Sequence, residues 1–227
     1  MCVKETEFTS LTEILASEDH PQLQGIGRRK RKAAETRLRL FRCALHLVAE
    51  RGLPNVTVED ITEAADVGKG TFFNYFESKD QVLGVMAEIH LGQVRRALEL
   101  ASAKTRSIQS VVRDLFERIA EELGRTHELA RAFISSFLAS EGVRQRLDHN
   151  MSEGRRMVTQ IVEIGQKRGE IDPKLEKDEA VLLLQQAFMG TLLLWTLRGA
   201  PNLQSVIRRS FQHVWRSIAA SGQERKR

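Results

Sequence analysis

The amino-acid sequence predicts an all-α protein, and three of its properties carry that prediction. Hydrophobic residues make up 41% of the 227 residues and proline occurs only 4 times, which is typical of an ordered and mainly helical chain. Apolar residues recur at helical spacing, and no stretch shows the alternation of a half-buried strand. Helix stops are legible at Gly124, at Gly169 with Pro173, and at Gly199 before Pro201. A chain of this length can hold one or two domains with a sizeable core.

Basic residues are concentrated in one part of the chain. The net charge of +5 permits nucleic acid as a partner without establishing it. Residues 1 to 27 carry one lysine and five acidic residues, whereas residues 28 to 79 carry eleven basic and seven acidic residues. The densest run, Arg28 to Lys32, stands at the first predicted helix. It is either an arm that follows phosphates or enters a minor groove, or a solvated helix start, and both interpretations stay open.

Other features argue against export, membrane insertion and catalysis. Cys2 and Cys43 do not suggest a disulfide framework, and the first residues lack the apolar core of a signal peptide, so we expect a cytoplasmic protein. The most apolar stretch, residues 181 to 197, contains two glutamines and falls short of the ~20 residues of a membrane helix. We therefore expect it to be buried in protein, with no membrane partner.

Residue patterns that carry chemistry are scarce. The six histidines form no metal-ligand pair such as HExxH, and no glycine-rich phosphate loop follows a strand. Cys43 and His46 are three residues apart on the first helix, but a small buried cysteine in an apolar neighbourhood is ordinary. We expect no enzymatic activity, no metal and no cofactor.

The first predicted helix runs from about residue 30 to residue 51. Leu38, Phe41, Leu45 and Val48 repeat at helical spacing, and the pattern stops at Gly52. We expect this helix to brace the two short helices that follow it.

Residues 57 to 79 predict two short helices separated by a tight polar turn. Thr57 and Asp60 have the spacing of a capping box at the start of the first of them. A seven-residue run after the turn predicts the second helix, in which Phe72 and Phe76 lie four residues apart and point inward. The same spacing leaves other side chains on exposed faces: Lys69, Thr71, Phe73, Asn74 and Tyr75. A DNA-reading helix-turn-helix requires this arrangement.

Several of these positions together resemble the DNA-binding domain of the tetracycline-repressor (TetR) family. The resemblance covers roughly residues 30 to 82, and its positions are Thr57, Gly68 to Thr71, Phe72 to Phe76, and Ser78 with Lys79. In that family the equivalent of Thr57 caps a helix and touches a phosphate, and the glycine-threonine start of the next helix approaches the major groove. The resemblance therefore implies groove contacts at Lys69, Gly70, Thr71 and Asn74, and phosphate contacts at Thr57, Tyr75 and Lys79.

One position departs from the family pattern. Family members usually carry tyrosine where this chain has Phe73, so a hydroxyl-to-phosphate bond is absent here. A phenyl ring can instead touch a thymine methyl group. Phe73 therefore joins the expected DNA contacts.

A second capping box, Ser78 with Gln81, predicts a long helix that runs to about Ala103 and joins two domains. Gly84 and Gly92 lie inside it and each lowers helix propensity by about 1 kcal/mol relative to alanine. Close packing and a bend are the two explanations. Five further helices are predicted at residues 107–124, 126–140, 143–168, 176–199 and 203–220, which gives the nine-helix layout of the family.

The helix at residues 176 to 199 is apolar almost all round, and the last helix also carries an apolar stripe that includes Phe211. One core cannot cover all of this surface. The resemblance implies a four-helix bundle between two subunits, and the surplus apolar surface is an independent reason to expect a homodimer.

The resemblance implies the two-domain plan and the function, whereas weak periodicity and an ending with Pro21, Gly25 and Gly27 indicate a mobile extension before the first domain. We expect a mobile extension at residues 1–27, a helix-turn-helix DNA-binding domain at 28–79, and a larger helical domain for effector binding and dimerisation at 80–227. The expected function is a repressor that binds a pseudo-palindromic double-stranded DNA operator and is controlled by an apolar or amphipathic effector. Large, adaptable side chains supply candidate effector contacts: Phe116, Phe133, Phe137, Met151, Phe188 and Trp195.

An alternative stays open, in which the chain is a DNA-binding nucleoid or division factor controlled by a protein partner. Each candidate effector contact, taken alone, is more often a core residue. A cavity of several hundred cubic ångströms within one subunit favours an effector, whereas a solid core favours the partner.

Overall fold

A computed structural model describes residues 28–82, 84–136, 141–198 and 202–220, and within them the chain forms ten α-helices and no strand. The all-α prediction is confirmed. The helices are α1 Arg28–Arg51, α2 Val58–Ala64, α3 Lys69–Phe73, α4 Lys79–Val82, α5 Gly84–Ser102, α6 Ile108–Leu123, α7 His127–Ser136, α8 Glu141–Lys167, α9 Lys177–Arg198 and α10 Leu203–Ile218. A short 3-10 turn, Leu53–Asn55, separates α1 from α2. The predicted extension at residues 1–27 lies outside the described residues.

The chain divides into two compact units between Val82 and Leu83. In the first unit α1 packs on α2 and α4, and α2 packs on α3. The α1 side chains Phe41, Leu45 and Val48 are buried as predicted, whereas Leu38 is only half-buried and Leu40 takes the fully buried place. The first unit is thus a small helical domain built around α1.

The second unit contains α5 to α10. Helix α5 packs on α8 and α6, and α10 packs on α9 and α6. The end of α10 is joined to the loop after α8, since the Asp172 amide donates to the Ile218 carbonyl at 2.9 Å and the Ala220 amide donates to the Glu170 carbonyl at 3.2 Å. The Glu170 carboxylate also accepts the amide of Ile108 at 2.7 Å, which satisfies a backbone donor at the start of α6. These bonds fix the ends of three helices relative to one another.

Two details of the predicted long helix change. It is described as α4 and α5, with residue 83 outside the described residues. A Cβ built on Gly84 meets no described atom within 4 Å, so close packing does not account for this glycine.

The predicted helix at 126–140 is seen as α7, and its last four residues lie outside the description.

Helix α9 is long and apolar enough to cross a membrane by length and composition alone, a property it shares with core helices of soluble proteins. One side of it is buried in the second unit, with Leu184 and Leu192 almost fully covered. The other side is exposed and carries four leucines: Leu182, Leu193, Leu194 and Leu197. The prediction that one core cannot cover this helix is therefore confirmed for the single chain.

Candidate nucleic-acid interface and effector cavity

A reciprocal capping box starts α2. The Asp60 amide donates to the Thr57 hydroxyl oxygen at 3.1 Å, and the Thr57 amide donates to Asp60 Oδ2 at 2.8 Å. The Thr57 hydroxyl also donates to the same carboxylate at 2.6 Å. These hydrogen bonds from the Thr57 hydroxyl and amide lower the pKa of Asp60. The helix-turn-helix therefore begins at a fixed residue.

The turn between α2 and α3 is closed by backbone bonds. Asp66 has φ of 50°, the left-handed conformation that aspartate adopts more readily than most residues. The amide of Val67 donates to the Thr62 carbonyl at 3.0 Å, and Thr71 donates to Gly68 at 2.8 Å as α3 begins. The turn thus determines where α3 starts.

Helix α3 has five residues, shorter than the predicted seven. It is anchored by Phe72, which is fully buried and whose ring centroid lies 5.4 Å from that of Phe76. Phe73 is the next residue but is 51% exposed, with its ring edge-on to Phe72 at 5.5 Å. Of the other predicted groove residues, Lys69, Gly70 and Asn74 are exposed and Thr71 is half-buried. Thr57 is exposed and Tyr75 is half-buried.

Lys69 is already paired within the first unit. Its ammonium group contacts the carboxylate of Glu59 on α2, and this hydrogen bond lowers the pKa of Glu59. Both side chains are more than half exposed, so water screens the pair strongly. A phosphate or a base edge that engages Lys69 competes with Glu59 or shares the ammonium group with it.

Lys79 has a different environment from the one its predicted phosphate contact requires. Its ammonium group donates to the carbonyl oxygens of Leu53 at 2.9 Å, Val56 at 2.8 Å and Pro54 at 3.4 Å. An ammonium group has three protons, and three carbonyls in the segment before α2 accept them. The geometry favours a structural role in which α4 is tied to the 3-10 turn.

A cavity of about 200 Å³ lies within the second unit, partly open to solvent and bounded by α5, α6, α7, α8 and α9. Its wall is almost entirely apolar. Predicted effector contacts that line it are Phe116, Phe133, Met151 and Phe188. The rings of Phe116 and Phe188 meet edge-to-face with centroids 5.2 Å apart.

Two predicted effector contacts stand elsewhere. Trp195 does not line the cavity; its indole ring stacks on the imidazole of His127 with centroids 3.9 Å apart and planes 14° apart. Phe137 lies outside the described residues. Helical spacing places Trp195 on the buried side of α9, but only the tertiary structure shows that the tryptophan contacts α7.

The sequence patterns did not predict the polar residues that line the cavity. His90, Asn150, Arg155 and Gln185 line it, and the Arg155 guanidinium donates to Gln185 Oε1 at 3.2 Å. A buried Gln93 and Glu122 lie next to His90. The sequence does contain a sign of Gln93 and Glu122. Gln93 follows Met86 by seven residues and Glu122 follows Leu115 by seven, so both polar side chains occupy core-facing positions.

Comparisons with known proteins agree with this architecture. Residues 40–86 match the family model described as bacterial regulatory proteins, tetR family. The regulator TcmR of Streptomyces glaucescens is 34% identical over 149 residues, which cover 52% of this chain and 66% of that regulator, just under two thirds of its length. The probable acrEF/envCD operon repressor of Escherichia coli K12 is 24% identical over 189 residues, covering 76% of this chain and 81% of the repressor.

A solved structure extends the likeness to the second unit at the level of the fold. FadR of Bacillus subtilis, crystallised in complex with stearoyl-CoA, superposes with a TM-score of 0.61 at 17% identity and covers 80% of this chain and 98% of its own. The family match thus falls on the helix-turn-helix, and the structural likeness extends beyond it into the second unit. The helix-turn-helix of this chain, residues 40–86, is a domain of the tetR family of bacterial regulatory proteins.

Proposed function

We propose that this tetR-family regulator is a repressor that binds a pseudo-palindromic DNA operator as a homodimer in the cytoplasm, and that a small apolar or amphipathic effector releases it. The observation that carries the DNA-binding part is the contrast within α3. Phe72 is fully buried while its neighbour Phe73 is 51% exposed beside the exposed Asn74. A monomeric fold gains nothing from an exposed phenyl ring here, whereas a base edge gives it an apolar contact.

The proposed contacts divide by chemistry. Phe73, Asn74, Thr71 and Gly70 lie on or beside α3, where a short helix can enter the major groove and touch base edges. Lys69 contributes charge beside its partner Glu59. Thr57 and Tyr75 supply hydroxyl groups that can donate to phosphates, although the Thr57 hydroxyl is bonded to Asp60 in the absence of DNA.

The exposed leucines of α9 support the homodimer. Leu193, Leu194 and Leu197 are 44%, 49% and 72% exposed in the single chain. A contiguous apolar face of this kind is typical of a protein interface. A two-fold dimer through α9 and α10 presents two copies of α3, and we expect them to read half-sites about 34 to 36 Å apart, one turn of DNA, or a multiple of it.

The cavity supports control by an effector over control by a protein partner. Its volume of about 200 Å³ is smaller than the several hundred expected, but its wall is apolar and lies within one chain. The B. subtilis FadR structure contains stearoyl-CoA, a ligand with a long apolar chain. Helix α5 lines the cavity through Ala87, His90, Leu91 and Val94, and the chain runs from its first residue directly back to α4. We propose that an effector shifts α5 and so changes the separation of the two reading helices.

Selection of bound duplexes from a random DNA pool tests the proposal. We expect enrichment of an inverted repeat that the purified protein binds far more tightly than a shuffled duplex. Phe73→Ala and Asn74→Ala should then relax base preference at defined positions, whereas Lys174→Ala, an exposed change in the second unit, should leave it unchanged. The assignment is contradicted if no DNA sequence is enriched. It is also contradicted if the variant that carries both Phe73→Ala and Asn74→Ala enriches the same sequence as the unmodified protein.

A further inference from the structure

Three polar side chains form a buried cluster at the wall of the apolar cavity. His90 on α5 lines the cavity, and its Nε2 atom lies 3.3 Å from Glu122 Oε2 on α6. Gln93, one turn along α5, donates from Nε2 to Glu122 Oε1 at 2.8 Å. Glu122 is 4% exposed and Gln93 is 6% exposed. The cluster therefore connects the cavity wall to a carboxylate in the core of the second unit.

The hydrogen-bonding capacity of this cluster is not filled. Within the part of the chain that the structure describes, His90 Nε2, Glu122 Oε2 and Gln93 Oε1 are buried without a hydrogen bond of good geometry. Buried polar groups in native proteins are nearly always bonded, because an unpaired group has lost its water and gained no partner. Of these atoms, His90 Nε2 and Glu122 Oε2 lie 3.3 Å from each other. Glu122 and Gln93 do not line the cavity, so His90 is the member of the cluster that can present a polar atom to a ligand.

The environment of His90 indicates which polar group fits. A carboxylate beside Nε2 favours a proton on that nitrogen, and the neutral ring then presents Nδ1 as an acceptor. If the ring is instead protonated, both nitrogens donate. A hydroxyl group suits either state, because it can donate to the neutral imidazole or accept from the imidazolium. The Phe133 ring packs edge-on against His90 with centroids 5.6 Å apart and limits movement of the imidazole.

We propose that His90 binds the hydroxyl group of an otherwise apolar ligand, a phenol or an alcohol, and that Glu122 and Gln93 orient the imidazole for that bond. This inference rests on the proposed effector function and deepens it by naming the ligand class. A dry cavity of about 150 Å³ accommodates benzene, so a cavity of about 200 Å³ suits a body of one to two rings. His90 is the binding residue, whereas Glu122 acts through it as a positioning residue.

Matched probes test the proposal on the full chain. We expect 2-naphthol to bind at least tenfold more tightly than naphthalene, measured by equilibrium dialysis or calorimetry near neutral pH. His90→Phe keeps an aromatic ring and should abolish that preference while naphthalene still binds. Glu122→Gln should reduce the ratio of the two affinities without changing naphthalene affinity, which a purely structural role would not do. Lys174→Ala, an exposed change outside the cavity lining, should leave the ratio unchanged.

Several outcomes overturn the proposal: equal affinity for the two probes, no binding of either, a preference that survives in His90→Phe, or tighter binding of 2-naphthoate or 1-naphthylmethylamine than of 2-naphthol. If His90→Phe does not fold, the imidazole nitrogen NMR resonances of the unmodified protein provide the test. 2-Naphthol should shift the resonances of His90, and naphthalene should not. Operator binding is measured separately. Hydroxyl preference without DNA release contradicts only the effector proposal, and DNA release by a ligand that ignores His90 contradicts only this inference.

Discussion

Thr57 and Asp60 bind each other across one turn through three hydrogen bonds, two donated by Thr57 and one by the Asp60 amide. Asp60 Oδ1 also lies 3.8 Å from the guanidinium of Arg51, the last residue of α1. The pair therefore fixes the start of α2 and lies close to the end of α1. The turn and α3 follow from α2, so the placement of the reading helix depends on this contact.

We expect Thr57→Ala to lower the free energy of unfolding by about 1 kcal/mol, the usual effect of losing a helix N-cap. Urea unfolding followed by circular dichroism measures it. Thr57→Ser retains the hydroxyl and should retain most of the stability. If the serine variant is as unstable as the alanine variant, the cap is not the cause.

Acid should weaken the same contact. The pKa of Asp60 is lowered by the hydrogen bonds from Thr57, so its carboxylate stabilises the fold at pH values above the unfolded pKa of about 3.9. That contribution is lost as the pH falls through the lower folded pKa. The difference in free energy of unfolding between the unmodified protein and Asp60→Asn should therefore shrink on acidification. A difference that is constant down to strongly acidic pH contradicts the role of the charge.

Variants of Lys79 and Lys69 distinguish a structural role of a lysine from a phosphate contact. We expect Lys79→Met to destabilise the first unit, because the Val56 carbonyl loses its side-chain donor and the Leu53 carbonyl keeps only the 3.3 Å bond from the Val56 amide. The slope of log affinity against log salt for operator binding should hardly change. Lys69→Met is the matched comparison, and it should reduce that slope by about 1. A reduction of about 1 in the Lys79 variant instead would restore the phosphate contact implied by the family resemblance.

Local features of the DNA-binding unit could be predicted from the sequence. The box of Thr57 and Asp60 depends on residues three apart, and the inward Phe72 and Phe76 follow from a spacing of four. Contacts between distant residues could not be predicted. Lys79 meets carbonyls more than twenty residues earlier, and Trp195 meets His127 on another helix, because the path of the chain brings them together.

The cavity also depends on contacts between distant residues that the sequence does not predict. The aromatic side chains proposed as effector contacts on α6, α7 and α9 line the cavity, apart from Trp195, and Phe137 lies outside the described residues. Their contact with an effector stays a prediction. The polar cluster of His90, Gln93 and Glu122 joins two helices, so its meaning depends on how α5 packs against α6. Gln93 and Glu122 have core-facing spacing in the sequence, but that spacing does not identify their partners.

The exposed leucines of α9 provide a test of the dimer prediction. Phe211 is 1% exposed within its own unit, so aspartate there would disrupt the fold of a single chain and reveal nothing about an interface. We expect Leu193→Asp and Leu197→Asp to fold, to sediment as monomers at micromolar concentration, and to lose specific DNA affinity. Gln160→Asp, an exposed change on α8, is the control and should stay dimeric. Monomeric behaviour of the unmodified chain contradicts the proposal.

Two glycines should respond oppositely to alanine. A Cβ on Gly165 would lie 2.7 Å from Ile171 Cδ1 and 3.0 Å from Ile171 Cγ1, so the isoleucine must move within a packed core. We expect Gly165→Ala to lower the free energy of unfolding by about 1 to 3 kcal/mol.

The added methyl group of Gly84→Ala meets no described atom within 4 Å. This change should raise the free energy of unfolding by up to about 1 kcal/mol through better helix propensity. Thermal midpoints measure both, and about 1 kcal/mol corresponds to a shift of roughly 2 to 4 °C at this chain length. If Gly84→Ala is the more destabilising variant, Gly84 is held in a conformation that alanine cannot adopt, and the bend proposed from the sequence becomes the better explanation for it.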